Sequence, residues 1–543
     1  MSFPRLRSLS VRLLSLAALA ASLASCGGGG ARSNAAFDVA FPDDAPGGGG
    51  PGGSPTLPPA PPRTPEWSAD AFPFARTVLF GSFPSDVVRF GNTLFTTDAD
   101  EVDANGALVI PVDVSGPAPV ASTRFVPTPV LAGDLVDSQG NPGDLQSPIG
   151  FGFFLNDVAI VGDHVGLVLA NAGGSDSSPT LSDLVVFDPM TGAILQVVNL
   201  ANPYSKAGLF DSSGAPVPLG GFIQAGAEAL EFVPTSPGRG RLYVAMTNLI
   251  FGAPSYGTLR YPGTLQVYDV DASAPVPVKP RAATGLVTQT ILTVDYNPVA
   301  LSAIVSEAGL GLSKERRLLV TVGGTTGFDA NFNLVPVTDA SVEALDADTG
   351  AFLGRFRLGK AGLSGTRPAL GQDGVDHHVG FFPSAVTGEV YLLLLDGLYA
   401  PLVDPSRLAV LRGPNNGIPI TAGQAGSPGG NINGVGLAPD GRTLVVSGFG
   451  NLFAFPAPLP GRLYLLGLPP DVVSGAGFGA SFTPGATEYA SVPGRTLGAL
   501  ALVPNPGDRP DVYVLVGGPL DPLTFLGTGP ASLGSLRTFG LIR

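Results

Sequence analysis

Five residues able to hold a metal ion recur at one position of a repeated pattern. Seven short apolar segments, Asp86–Phe90, Asp157–Val161, Glu228–Pro234, Val299–Val305, His377–Pro383, Asn433–Pro439 and Gly498–Pro504, align on their first residues. Those residues are Asp86, Asp157, Glu228, Val299, His377, Asn433 and Gly498. Asp86, Asp157, Glu228, His377 and Asn433 offer carboxylate, imidazole and amide donors. Gathered around one axis, they would suit a divalent cation, the hard oxygens favouring Ca²⁺ or Mg²⁺ and the histidine admitting Zn²⁺ or Mn²⁺. The same polar residues would also be expected if they only lined a water-filled channel, and both readings stay open at this point.

His377 and His378 follow Asp373 and Asp376 in the densest polar cluster, and His164 is the chain's third histidine. Adjacent strand residues point to opposite faces, so one of the pair at most reaches an axis. Register selects His377, the candidate acid, base or metal ligand. Gly-rich runs such as Gly426–Gly430 lack the helix and lysine of a phosphate cradle, and no serine nucleophile elbow is visible.

Each leading segment precedes a turn and a second apolar run, such as Arg241–Thr247 or Asp511–Gly517, rich in the β-branched and aromatic residues of buried strands. Third strands are expected at Ala107–Val112, Asp183–Asp188, Thr264–Asp269, Ser341–Asp346, Arg407–Leu411, Arg462–Leu466 and Ser535–Ile542. Two of them end in the turns Asp188–Gly192 and Asp346–Gly350, where Asp and Thr can bond the backbone and Gly can take a positive φ. A unit of roughly 70 residues holding four short strands is a propeller blade. The expected fold is therefore all-β: a β-propeller of seven four-stranded blades, with six or eight as alternatives. Closure would come from pairing of the N- and C-terminal strands, Phe74–Phe80 completing the last unit.

The run from Glu231 to Val244, with Phe232, Pro234, Leu242 and Tyr243, followed by Gly263 to Asp269, resembles the YncE/YVTN-type propellers and, more distantly, lactonase-like propellers. The likeness spans residues 74–543. It implies the propeller fold, and it implies functions from ligand binding to metal-dependent lactone hydrolysis, in which an axial metal polarises an ester carbonyl and activates water. The Tyr-Val-Thr-Asn tetrapeptide is replaced by Tyr243-Val-Ala-Met-Thr247, and Trp67 is the sole tryptophan, so no quinoprotein docking motif is present.

Residues 1–25 read as a lipoprotein signal peptide, with Arg5, Arg7 and Arg12 before an apolar run from Leu13 to Leu23 too short to span a bilayer. Leu23-Ala24-Ser25-Cys26 resembles a bacterial lipobox, which would make Cys26, the single cysteine, the lipidation site. Gly27 rather than Asp after the cysteine points to the outer membrane. Residues 26–66 form a Gly/Pro-rich tether with too little apolar surface to fold, and residues 67–543 form the propeller domain. Net charge is −14, becoming −17 without the three leader arginines, which disfavours nucleic acid and anionic lipid as partners. The expected function is a lipid-anchored cell-envelope binding or scaffold module for a protein, glycan or small molecule. A metal-dependent lactonase or hydrolase is the alternative.

Overall fold

The computed structural model describes strands and short connections between Pro84 and Gly540; residues 1–83, 541–543 and the longer connections, among them 128–152, 201–225, 373–376, 396–417, 421–431, 469–485 and 517–534, lie outside the described residues. Cys26, the tether, Phe74–Phe80 and the strand expected at Arg407–Leu411 fall outside them. Among the described residues every regular element is a strand.

Blade 1 holds Pro84–Phe90, Thr93–Asp98, Leu108–Asp113 and Val120–Ala121. Blade 2 holds Phe153–Gly162, Val165–Ala172, Leu181–Phe187 and Ile194–Asn199. Blade 3 holds Ala227–Ser236, Arg239–Met246, Thr264–Asp271 and Val278–Pro280. Blade 4 holds Pro298–Val305, Arg316–Val322, Ala340–Asp346 and Phe352–Gly359. Blade 5 holds Ala369–Gln372, His377–Pro383, Glu389–Leu394 and Ile418–Pro419. Blade 6 holds Ile432–Leu437, Thr443–Gly448, Gly461–Gly467 and Ala486–Val492. A last sheet has three strands, Leu497–Val503, Asp511–Val516 and Ser535–Gly540. The fold is an all-β propeller. The expectation of seven four-stranded blades is corrected: six sheets are complete blades, and the last sheet stops at three strands among the described residues. Completion by Phe74–Phe80 lies outside them.

The blades pack face to face through apolar residues that alternate along each strand. Val88 and Phe95 meet Val158 and Val168 between blades 1 and 2, and Leu167 and Leu184 meet Leu230 and Tyr268 between blades 2 and 3. The series ends where Val87, Leu94 and Val112 of blade 1 pack on Ala501, Tyr513 and Leu515 of the three-stranded sheet. Packing thus joins first sheet to last. The Asp turns form as their chemistry requires: Asp188 Oδ1 accepts from the Met190 and Thr191 N–H groups at 2.7 and 3.1 Å, and Gly192 has φ 74°. Asp346 repeats this with Asp348 and Thr349 at 2.9 and 2.7 Å.

Blade 5 is built one strand out of phase with the sequence reading. In blade 3 the Thr247 N–H, just past the second strand, donates to Gly226 O, just before the first, at 2.8 Å. Gly323 to Asn297 does the same in blade 4, and Ala385 to Gly362 in blade 5, each at 2.8 Å. Gly226, Asn297 and Gly362 all have positive φ, of 69°, 69° and 58°. The match makes His377–Pro383 the second strand of blade 5 and places the first between Leu363 and Gln372. A bridge from Leu363 to Ser384 extends that pairing. The expected first strand was placed on the Phe-x-Pro signature at Phe381–Pro383, which here ends a second strand.

Candidate functional site: the propeller axis

The aligned position is real in the first strands, and the backbone explains it. A β-bulge interrupts pairing between Pro84 and Val87, Leu155 and Val158, Ala227 and Ala229, Pro298 and Ala300, Ile432 and Gly434, and Leu497 and Leu500. Asp86, Asp157, Glu228, Val299, Asn433 and Gly498 are therefore bulge residues. A bulge re-aims a side chain out of the pleat, and here the re-aimed carboxylates join neighbouring blades. Asp86 Oδ1 accepts from Val87 N at 2.7 Å and Oδ2 from Val158 N of blade 2 at 3.1 Å. Asp157 Oδ2 accepts from Leu230 N of blade 3 at 2.8 Å. Asn156 Nδ2 donates to Glu228 Oε2 at 3.3 Å and to Ala227 O at 3.2 Å.

In blade 5 the corresponding interruption is wider, because Leu363 pairs with Ser384 and Ala369 with Phe381. Ser364-Gly-Thr-Arg-Pro368 is set against only Phe382 and Pro383. This long bulge delivers Arg367, 5% exposed, among blades 2, 3 and 4. Its Nη2 lies 2.6 Å from Asp157 Oδ2 and also donates to Leu230 O. Its Nη1 pairs with the Glu231 carboxylate and donates to Leu301 O at 3.0 Å. Burial opposes the guanidinium charge, but Asp157 and Glu231 outweigh it and the Arg367 pKa is raised. Arg367 is a buried cation that reaches from blade 5 to blades 2, 3 and 4.

Of the predicted metal set, the structure brings the Asp86 and Asp157 side chains next to each other and places the His377 backbone in a different register. Asp86, Asp157, Glu228 and Asn433 occupy the bulge register of blades 1, 2, 3 and 6. The His377 backbone instead pairs with Gln372, at the far end of the blade 5 first strand. Gln372 lies eight positions beyond Ser364, at most about 26 Å of extended chain at about 3.3 Å per residue. Among the described residues no group of three or more His, Cys, Asp or Glu side chains converges as a metal set. Asp157, the natural anchor of such a site, already holds the Arg367 guanidinium and a backbone N–H. Asp157 and Glu231 are thus part of an arginine-centred network. Purified protein is accordingly expected to show the same Tm with and without a strong chelator; a drop of several degrees on chelation would restore the metal reading.

Burial pushes the Asp86 carboxyl well above the ordinary carboxylate range, and neighbouring Asp157 adds to the effect. Folding thus favours its protonated form. That contribution is fully present below the ordinary carboxylate pKa and is lost as pH rises through the raised value. Asp86→Asn fixes the side chain neutral at the cost of an acceptor. The variant is expected to melt below wild type at pH 4, with the gap narrowing toward pH 8; a gap that widens with pH contradicts the assignment.

His164 Nδ1 lies 3.5 Å from Asp188 Oδ2 with the imidazole 77% exposed, which makes it a surface contact at a turn. Arg367 and Glu231 were invisible as site residues in the sequence. The one available signal was the Gly362 counterpart of Gly226, which fixes the phase of blade 5.

Comparison with protein-family models gives no match, and no curated protein matches in sequence. Solved structures do align. The Dos1 propeller is 13% identical over 84% of this chain and 78% of its own, with a TM-score of 0.40. The quinohemoprotein alcohol dehydrogenase from Comamonas testosteroni is 11% identical over 88% and 77%, with a TM-score of 0.42. A protein of unknown function from Dyadobacter fermentans is 12% identical over 89% and 100%, with a TM-score of 0.37. Likeness this distant says nothing of activity, and the propeller assignment rests on the sheets themselves. The YncE/YVTN resemblance has no family-level match behind it.

Proposed function

We propose that the chain is a lipid-anchored cell-envelope binding module that engages a protein, glycan or small-molecule partner through one face of its propeller. The observation that supports this is a pair of hairpins built onto one face by adjacent blades. In an up-and-down blade, the links between second and third strands and those leading to the next blade emerge on one side. Blades 3 and 4 there add paired hairpins, Leu249–Gly252 with Ser255–Arg260 and Thr326–Phe328 with Leu334–Pro336, and these contact each other. On the opposite side blades 1 to 3 turn between first and second strands in two residues, 91–92, 163–164 and 237–238. Long connections on a rigid scaffold are where recognition groups sit.

The envelope address rests on the leader and on Cys26. Cys26→Ala is expected to abolish incorporation of an alkyne-tagged fatty acid and to release the protein from membranes. Labelling that persists in the variant contradicts the anchor. For the binding face, replacing residues 248–263 with a two-residue turn should leave Tm within a few degrees of wild type and lower retention on isolated envelope material. Equal retention of the shortened variant rejects this face as the binding surface.

A further inference from the structure

Seven large apolar side chains are exposed among the described residues, and six of them share one structural position. Val120 and Phe352 are the first residues of the outer strands of blades 1 and 4. Ile194 and Leu195 open the outer strand of blade 2, and Met190 lies in the turn before it. Val276 stands in the link that leads to the outer strand of blade 3. Each is therefore in or just beyond the connection between third and fourth strands, on the side of the propeller opposite the paired hairpins. Exposures of 62% for Val120 and 53% for Phe352 show tips standing clear of the blades. Reciprocal bonds from Gln196 Nδ-bearing amide are not needed to hold them: the outer strands of blades 2 and 3 are joined beneath the tips by Gln196, whose Nε2 donates to Val278 O at 2.8 Å and whose Oε1 accepts from Val278 N at 3.0 Å.

Scattered apolar residues on a surface are ordinary, but recurrence at one position in four successive blades makes an arc along a single rim. A protein partner needs a contiguous apolar patch that it can bury as a core, and here paired charges stand on the same side as the tips: Arg239 with Asp271 at 3.0 Å and His164 with Asp188 at 3.5 Å. A fluid lipid interface accepts separate apolar tips, each entering about 5–10 Å. Charges of both signs suit a zwitterionic headgroup layer, and the net charge of −14 works against an anionic one. The Gly/Pro-rich stretch from Cys26 to Glu66 has an end-to-end distance of about 35 Å as a flexible chain. A blade whose first strand holds seven residues is about 23 Å tall, so an anchor at Cys26 leaves either side of the propeller free to meet the membrane. We propose that this rim rests on the bilayer in which the chain is anchored, which turns the hairpin face away from the membrane toward its partner. This rests on the lipid anchor proposed above.

Tryptophan quenching tests it, because Trp67 is the sole tryptophan. In a Trp67→Phe background, Phe352→Trp and Leu195→Trp report the rim on two blades. Val337→Trp, at the remaining exposed apolar residue and before the third strand of blade 4, reports the opposite side. Full-length acylated protein is reconstituted into phosphatidylcholine vesicles with and without bromine on the acyl chains. Phe352→Trp and Leu195→Trp are each expected to lose about half of their emission to the brominated lipid, at the depth of an interfacial side chain, while Val337→Trp keeps its own. Equal emission in both lipids at the two rim positions overturns the proposal, as does an equal loss at all three. A rim emission that ignores bromine but shifts to the blue with protein concentration overturns it in favour of a second copy of the chain. Flotation of the same vesicles reads the anchor separately: protein that floats without rim quenching overturns the rim alone, and protein that does not float overturns both.

Discussion

Replacing Arg367 with methionine is expected to lower the unfolding free energy by about 3–5 kcal/mol, the usual cost of removing one partner from a buried ion pair. Methionine keeps the packing of the stem. It leaves Asp157 and Glu231 in the ring without the guanidinium that Asp157 meets at 2.6 Å, and two backbone acceptors, Leu230 O and Leu301 O, lose their donor. Lysine is expected to recover only part of the loss, since one ammonium cannot spread over acceptors from blades 2, 3 and 4 as a planar fork does. The combination Arg367→Met with Asp157→Asn and Glu231→Gln should recover more, because the orphaned charges go with the arginine. Equilibrium urea unfolding measures all of these. An Arg367→Met protein as stable as wild type would show that the blade 5 bulge does not brace blades 2, 3 and 4.

The second large effect is expected where the ring meets itself. Leu94 is fully buried between blade 1 and the three-stranded sheet, beside Tyr513 and Leu515. Leu94→Ala should cost about 2–5 kcal/mol, a transfer loss plus a cavity that a rigid sheet interface cannot close. Phe352, 53% exposed on the outer strand of blade 4, is the control: Phe352→Ala should stay within about 0.5 kcal/mol. A Leu94→Ala change as mild as the control would mean that first and last sheets merely abut. Deleting residues 70–82 asks the separate question of strand completion: a truncated protein as stable as wild type excludes the N-terminal strand from the last sheet.

These effects reflect an architecture with few local shortcuts. Each blade packs against neighbours some 70 positions away in sequence, and the bulge carboxylates of blades 1 and 2 bond backbone amides of the next blade. The acids at the bulges therefore act as stitches: Asp86 to Val158 N, Asp157 to Leu230 N. A substitution there disturbs two blades together, which is why an axial residue can matter greatly to stability without touching any ligand.

Local features were legible in the sequence because they are decided locally. Alternating apolar residues and Asp-Thr-Gly turns specify hairpins from within a dozen residues, so the strands of blades 1 to 4 fall where the pattern places them. The recurrence of Asp86, Asp157, Glu228 and Asn433 at one register was legible too, and the bulges confirm that register. What that register does was not, since an acid at a bulge reads the same whether it binds a metal, water or the amide of the next blade. Blade 5 shows the limit most plainly. His377–Pro383 carries the Phe-x-Pro signature of a first strand, yet it pairs as a second strand because Gly362, at φ 58°, starts the blade earlier. Only tertiary structure could decide this, because strand order depends on which backbone groups find partners across a sheet. The same holds for Arg367: an arginine in a Ser-Gly-Thr-Arg-Pro segment looks like a surface residue until the carboxylates of two distant blades are brought around it. Sequence determined the propeller and its polar register; the tertiary structure decided that the Arg367 guanidinium is brought to the carboxylates of blades 2 and 3, because those contacts join residues more than 130 positions apart.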